Sequence, residues 1–231
     1  MTRVLALTAL LALAPVSQAM AEVIWDLTGL SGGGTSMTVT ADGHDLGIHA
    51  FGVVNDANVQ SNPFAPAAFR GGGAGLGANF LNGNNLDNRN GDLDLLLLEL
   101  PSDSALPLQL GFNRNDAGDR VRIYIGDGLV PASFAGLSFD DLDALVGSGD
   151  LDVVDFSLAN GGGVYFVDIQ SLFGSTTKGG FLILTIPVGG TSDEFRLASI
   201  SAEVPEPATA GLFLIALAGL AAVRRRPRRT A

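Results

Sequence analysis

Short apolar runs alternate along the chain with clusters of Gly, Asn, Asp and Ser, a pattern typical of short β-strands joined by turns. The clearest run is RVRIYIGD, in which Val121, Ile123 and Ile125 share one face of a strand and polar residues take the other. The pattern predicts ten strands: Val23–Leu27, Ser36–Thr40, Gly47–Val53, Leu93–Leu100, Leu106–Asn113, Arg120–Gly126, Asp152–Leu158, Val164–Ile169, Phe181–Pro187 and Phe195–Val204.

Two of these runs, LLLLEL and FLILTIP, are apolar without interruption, so we expect them to be buried on both faces at the centre of a sheet. The segment SFDDLDALVG has helical spacing, with Phe139, Leu142 and Leu145 or Val146 on one side, and predicts one or two turns of helix. The predicted fold class is all-β, an antiparallel β-sandwich or jelly roll.

The N-terminal sequence MTRVLALTALLALAPVSQAMAE has the layout of a secretory signal peptide. A charged residue, Arg3, precedes an apolar run that is too short to span a membrane. The small residues Ala19 and Ala21 flank Met20 in the pattern that signal peptidase cleaves. We therefore expect a signal peptide over residues 1–21 with cleavage after Ala21, cleavage after Ala19 being the alternative.

A second apolar run, Ala208–Val223, lies near the C-terminus and carries no charge over 16 residues. This length is at the lower limit for a membrane-spanning helix, which needs roughly 17 residues or more. Arginines follow the run immediately, and positive charge next to a span stays in the cytoplasm. The arginine cluster consists of Arg224, Arg225, Arg226, Arg228 and Arg229. The preceding domain is therefore expected on the far side of the cytoplasmic membrane.

Directly before that run stands Val204-Pro205-Glu206-Pro207, whose prolines disfavour helix and keep the backbone extended and accessible. This motif, the short apolar helix and the terminal arginines together resemble the PEP-CTERM sorting signal of Gram-negative bacteria. The resemblance implies recognition by an exosortase, a membrane-embedded transpeptidase-like protease, removal of the helix, and delivery of the domain to the cell surface. The alternative is a permanent tail anchor.

Three regions follow from these patterns: the signal peptide, a secreted acidic β-sandwich domain over residues 22–203, and the sorting signal over residues 204–231 with its helix at 208–223.

Between Glu22 and Glu203 the chain has 7 Lys and Arg against 23 Asp and Glu, a formal net charge of −16. Such a surface repels nucleic acid, and we expect membrane contact only through the C-terminal helix before processing. The chain has 0 cysteines, which excludes disulfides and thiolate chemistry.

Asn- and Asp-rich loops at Asn82–Asp94 and Asn113–Asp119 have the oxygen ligands that Ca²⁺ prefers. Their spacing matches neither an EF-hand nor a glycine-rich calcium repeat, and the same residue types are ordinary turn formers. The loops predict either a calcium site or plain turns. The candidate ligands are Asn84, Asn85, Asp87, Asn90, Asp92, Asp116 and Asp119.

The sequence supports catalytic and nucleotide-binding sites less well than it supports a calcium site. His44 and His49 are the only histidines, and no serine motif accompanies them as a nucleophile. Glycine-rich Arg70–Asn79 lacks the βαβ context of a nucleotide-binding loop. Acidic groups occur at Asp92 and Asp94, at Asp140, Asp141 and Asp143, and at Asp150, Asp152 and Asp155, but a glycosidase also needs an aromatic-lined cleft.

The function predicted from the sequence is that of an exported, non-enzymatic surface or extracellular-matrix protein with a structural or adhesive role in exopolysaccharide or biofilm. Its expected partners are signal peptidase, the exosortase and extracellular polysaccharide, with calcium as the candidate cofactor. After transient anchoring in the inner membrane, the protein is expected at the cell surface or outside the cell. The alternative is a secreted hydrolase that acts on polysaccharide.

Overall fold

The predicted strands all form, and four shorter ones lie between them. We describe a computed structural model over residues 20–205, except for residues 31, 55, 57, 72–73, 80–84, 89–91, 102–106, 114–117, 160–162, 175–178 and 189–192 and the side chains of 79, 92, 107 and 108. The strands are β1 (Met20–Asp26), β2 (Ser36–Ala41), β3 (His44–Val54), β4 (Ala65–Pro66), β5 (Ala68–Arg70), β6 (Gly77–Asn79), β7 (Leu86–Asp87), β8 (Asp92–Glu99), β9 (Pro107–Asn113), β10 (Arg120–Gly126), β11 (Leu151–Ser157), β12 (Tyr165–Asp168), β13 (Phe181–Thr185) and β14 (Glu194–Pro205).

Two sheets contain most of the described strands. Sheet A has the order β1-β14-β9-β12, with β7 also paired to β14. Sheet B has the order β11-β10-β13-β8-β3-β2, with β4 paired to β3, and β5 pairs with β6 separately. The apolar runs in β8 and β13 lie at the centre of sheet B, which confirms their predicted position.

One hydrophobic cluster contains buried side chains from both sheets. Trp25 of β1 and Phe112 of β9 come from sheet A, and Ile123 of β10 and Leu96 of β8 come from sheet B. All four are 0% exposed. The indole N–H of Trp25 donates a 3.0 Å hydrogen bond to the carbonyl of His44, so the large ring is buried without an unpaired donor. The two antiparallel sheets therefore share a core, and the fold is all-β as predicted.

Three helices lie in the described part of the chain: α1 (Pro131–Phe134), α2 (Phe139–Ser148) and α3 (Ile169–Phe173). Ser138 caps α2, because its hydroxyl accepts from the Asp141 backbone N–H while the Asp141 carboxylate accepts from the Ser138 N–H at 2.8 Å. Gly149 ends the helix with φ of 85°, a left-handed conformation that glycine adopts without strain. The predicted helix is thus present over 10 residues.

The second face of sheet B is covered as well. Phe134 of α1 stacks on Phe64 with ring centroids 5.0 Å apart and meets Phe51 of β3 edge-on at 4.7 Å. Phe139 of α2 packs edge-on against Phe64 at 5.0 Å. These rings form a second hydrophobic cluster with Leu95 of β8 and other strand residues. The central strands of sheet B are consequently buried on both faces, whereas its edge strands β2 and β11 keep exposed side chains.

Glu22–Val204 form one compact unit. The predicted signal peptide lies outside the described residues except for Met20 and Ala21, which are part of β1. The predicted helix at 208–223 and the arginine cluster also lie outside them. No helix within the described residues is long and apolar enough to cross a membrane.

Candidate functional site

Polar side chains gather where β14 begins. Asn85, just before β7, donates from Nδ2 to Oε2 of Glu194 at 2.9 Å and accepts from Nε of Arg196 at 2.7 Å. Asp87 on β7 lies opposite Glu194 in the strand pairing. Asp87 is 4% exposed and Arg196 is 5% exposed. Two of the calcium candidates, Asn85 and Asp87, are therefore brought to the start of β14, where a buried arginine is hydrogen-bonded to Asn85.

An ion pair lies at the same strand end. The guanidinium of Arg120 donates from Nε and Nη2 to Oδ2 of Asp193 at 3.2 and 3.0 Å, and the Arg120 backbone N–H reaches Oδ1 at 3.3 Å. Asp119, another calcium candidate, is buried directly before Arg120, and its carbonyl accepts from the Leu158 N–H at 2.7 Å. The sequence pattern did not predict three of these polar residues: Asp193, Glu194 and Arg196. Their hydrogen-bond partners lie more than 70 residues away in the chain.

The calcium prediction stays a prediction. Asn84, Asn90 and Asp116 fall among the residues that are not described, as does the side chain of Asp92. Within the part of the chain that the structure describes, no group of three or more His, Asp or Glu side chains has a metal-binding arrangement.

The two histidines lie on β3, apart from the strand end described above. His44 follows the tight turn at Asp42-Gly43, where both residues have positive φ, and pairs with Ala41 of β2. His49 lies on the face of sheet B that α2 covers, and its Nε2 is 2.9 Å from Oε2 of Glu99 on β8. The histidines thus belong to a hairpin and to a cross-strand pair.

An open groove of about 390 Å³ lies at the C-terminal end of α2. It brings together two carboxylates, Asp127 and Asp150, with Leu129, Leu145, Leu151 and two glycines as the other lining residues. Oδ1 of Asp127 accepts from the backbone N–H groups of Gly179 and Gly180 at 3.1 and 2.8 Å. Asp150 accepts from the Ser148 hydroxyl. Both carboxylates are exposed.

A polar group also lies on the helix-covered face of sheet B. Arg122 of β10 binds Asp155 of β11 through two 2.7 Å hydrogen bonds, which raises the pKa of the guanidinium. Tyr124 is fully buried, and this burial raises its pKa to about 12 although Arg122 acts in the opposite direction. Tyr124 therefore stays a neutral phenol at physiological pH.

The outer face of sheet A exposes apolar side chains. Phe166 of β12 is 58% exposed, whereas its neighbour Val167 points into the shared core. Gly111 of β9 lies opposite Phe166, and a Cβ there would stand 3.2 Å from the phenylalanine ring and would clash with the Ser199 hydroxyl. Gly111 thus leaves room for the ring against the sheet. Gln109, also exposed, lies two residues away on the same face.

The C-terminal sorting residues begin inside the last strand. β14 runs to Pro205, with Val204 1% exposed in the shared core and Glu203 half-buried. Residues 203–229 match the family model described as the PEP-CTERM protein-sorting motif. The chain therefore carries this motif, which confirms the resemblance seen in Val204-Pro205-Glu206-Pro207 and the following run. Comparison with curated proteins and with solved structures gave no match.

The motif implies an exosortase-targeted protein that crosses the membrane to the cell surface. It also implies recognition of the C-terminus by the exosortase. The match covers 27 residues at the C-terminal end, so it concerns the sorting of the protein and not the activity of the β domain.

Proposed function

We propose that this chain is a non-enzymatic surface or extracellular-matrix protein, processed by an exosortase and adhesive toward extracellular polysaccharide. The observation that carries the proposal is the PEP-CTERM motif directly after the acidic β domain. Its destination is the cell surface, where extracellular polysaccharide is a polymer that an acidic domain can bind.

The outer face of sheet A supports the adhesive part of this proposal. Phe166 presents an exposed ring on the same face as Gln109, which lies opposite Asp168 two residues along the strand pair, so this face combines an apolar ring with an amide that can donate and accept hydrogen bonds. Sugar rings combine an apolar C–H face with hydroxyl groups and are matched by this combination. The formal charge of −16 between Glu22 and Glu203 favours neutral or cationic polysaccharide over anionic polymers.

Co-sedimentation with purified polysaccharide tests the adhesive role. Phe166→Ala removes the exposed ring and is expected to reduce the bound fraction severalfold while leaving thermal unfolding nearly unchanged. Val153→Ala is the matched control, because Val153 is also an exposed apolar strand residue but lies on β11 of sheet B. Equal binding by wild-type and Phe166→Ala proteins would remove the proposed role of this face.

Export is tested by cell fractionation of the native host with and without its exosortase. The protein is expected at the surface in the first strain and retained with the membrane in the second.

The competing hydrolase function would place its acid and base at a carboxylate pair such as Asp127 and Asp150. Both carboxylates already accept hydrogen bonds from the protein, from the Ser148 hydroxyl and from the Gly179 and Gly180 backbone, which supports the non-enzymatic proposal. Reducing sugars released by wild-type protein but not by Asp127→Asn protein would favour the hydrolase.

A further inference from the structure

The last strand is held in the sandwich almost to the sorting motif's first proline. β14 pairs with β9 from Arg196, opposite Asn113, to Ala202, opposite Pro107. Ala202 is 0% exposed and Val204 is 1% exposed, and both side chains belong to the core shared by the two sheets. The first two residues of the matched motif, Glu203 and Val204, are thus part of a folded strand.

A protease needs the backbone on both sides of the scissile bond to be extended and free to bind in its cleft. Backbone in a sheet is already hydrogen-bonded, so cleavage inside β14 requires the strand to leave β9 and Val204 to leave the core. Pro205 ends this protection naturally, since proline has no N–H to donate to a neighbouring strand.

We infer that the folded domain sets the upstream limit of processing: the exosortase cleaves C-terminal to Val204, and the mature protein keeps β14 whole. This inference rests on the proposed exosortase processing. In the reaction the C–N bond of the scissile peptide breaks. Its carbonyl carbon bonds to the oxygen of water or the nitrogen of an acceptor amine, and the departing nitrogen gains a proton.

Two parts of the motif therefore have different roles. Val204 stabilises the fold, because its side chain fills the core, and we assign recognition by the protease to the sequence from Pro205 onward. No free linker separates Val204 from the Pro-Glu-Pro sequence that follows it.

Mass spectrometry of the C-terminal peptide of mature protein from its native host tests the inference directly. The expected peptide contains Val204 and ends at Pro205 or beyond. A mature C-terminus at Val204 or before it would overturn the inference while leaving exosortase sorting intact. Full-length protein in hosts with and without the exosortase would overturn the sorting function and the inference with it.

Digestion of the purified mature protein with a broad-specificity protease provides a second readout. Val204→Ser weakens the strand end, and cleavage within β14 is expected to become about tenfold faster than in wild type. Glu203→Gln changes the adjacent half-buried residue and serves as the matched control, with cleavage as slow as in wild type. Equal digestion of all three proteins would show that the core does not protect this strand end.

Discussion

Val204→Ala measures how much the sorting motif's first core residue contributes to the stability of the folded domain. The side chain is 1% exposed, and the substitution removes two methyl groups from the shared core. At about 0.8 kcal/mol for each buried carbon, plus a term for the remaining cavity, the free energy of unfolding should fall by about 2 kcal/mol. For a domain of this size the midpoint temperature should fall by about 4 to 8 °C.

Urea unfolding of the mature protein, followed by tryptophan fluorescence, measures this change. Trp25 is the single tryptophan and lies in the same core, so its emission reports on the packing that Val204 completes. Glu203→Ala should change stability by less than about 0.5 kcal/mol, since its side chain is only half-buried. A loss below 0.5 kcal/mol for Val204→Ala would refute the placement of Val204 in the core.

Three further predictions concern the face of sheet B that the helices cover. Phe134→Ala should cost about 3 to 5 kcal/mol in urea unfolding, because the rings of Phe51 and Phe64 lose their contact with Phe134 and a cavity is left. A Tyr165→Phe protein keeps Tyr124 as its single tyrosine, and absorbance at alkaline pH should show that phenol ionising near pH 12 rather than near 10. Since burial raises this pKa, the contribution of Tyr124 to stability should be complete below pH 10 and decline as the pH rises toward 12. Hydrogen bonds from Ser138 lower the pKa of Asp141, so its stabilising contribution should be present above the ordinary aspartate range and vanish as the pH falls through the lowered value. Thermal unfolding of Asp141→Asn protein checks this, with a lower midpoint than wild type at neutral pH and no difference in strong acid.

The long strands were predictable because their side chains alternate or are uniformly apolar. Arg120–Gly126 matches β10 residue for residue, and the two apolar runs lie at the centre of sheet B as expected. The four short strands β4, β5, β6 and β7 have only two or three residues each and give no periodic signal. β4 and β7 form where loop segments meet β3 and β14, and β5 and β6 pair with each other.

The sequence pattern did not predict that helices cover and bury the second face of sheet B. Tyr124 occupies a position that alternation marks as the polar face of β10, yet it is 0% exposed because α1 and α2 cover that face. Polar partners such as Asp193 and Arg196 were missed for a related reason, since long-range pairing places them beside Arg120 and Asn85. The sorting signal was readable because its three parts are contiguous.

Exosortase processing is tested by the intact mass of the mature protein from its native host, compared between strains with and without the exosortase. When the enzyme is present, the chain should keep Val204 and lack the arginines from Arg224 onward. Without the enzyme, the mass should be larger, because the chain keeps the complete arginine cluster. An identical, full-length C-terminus in both strains would contradict exosortase processing.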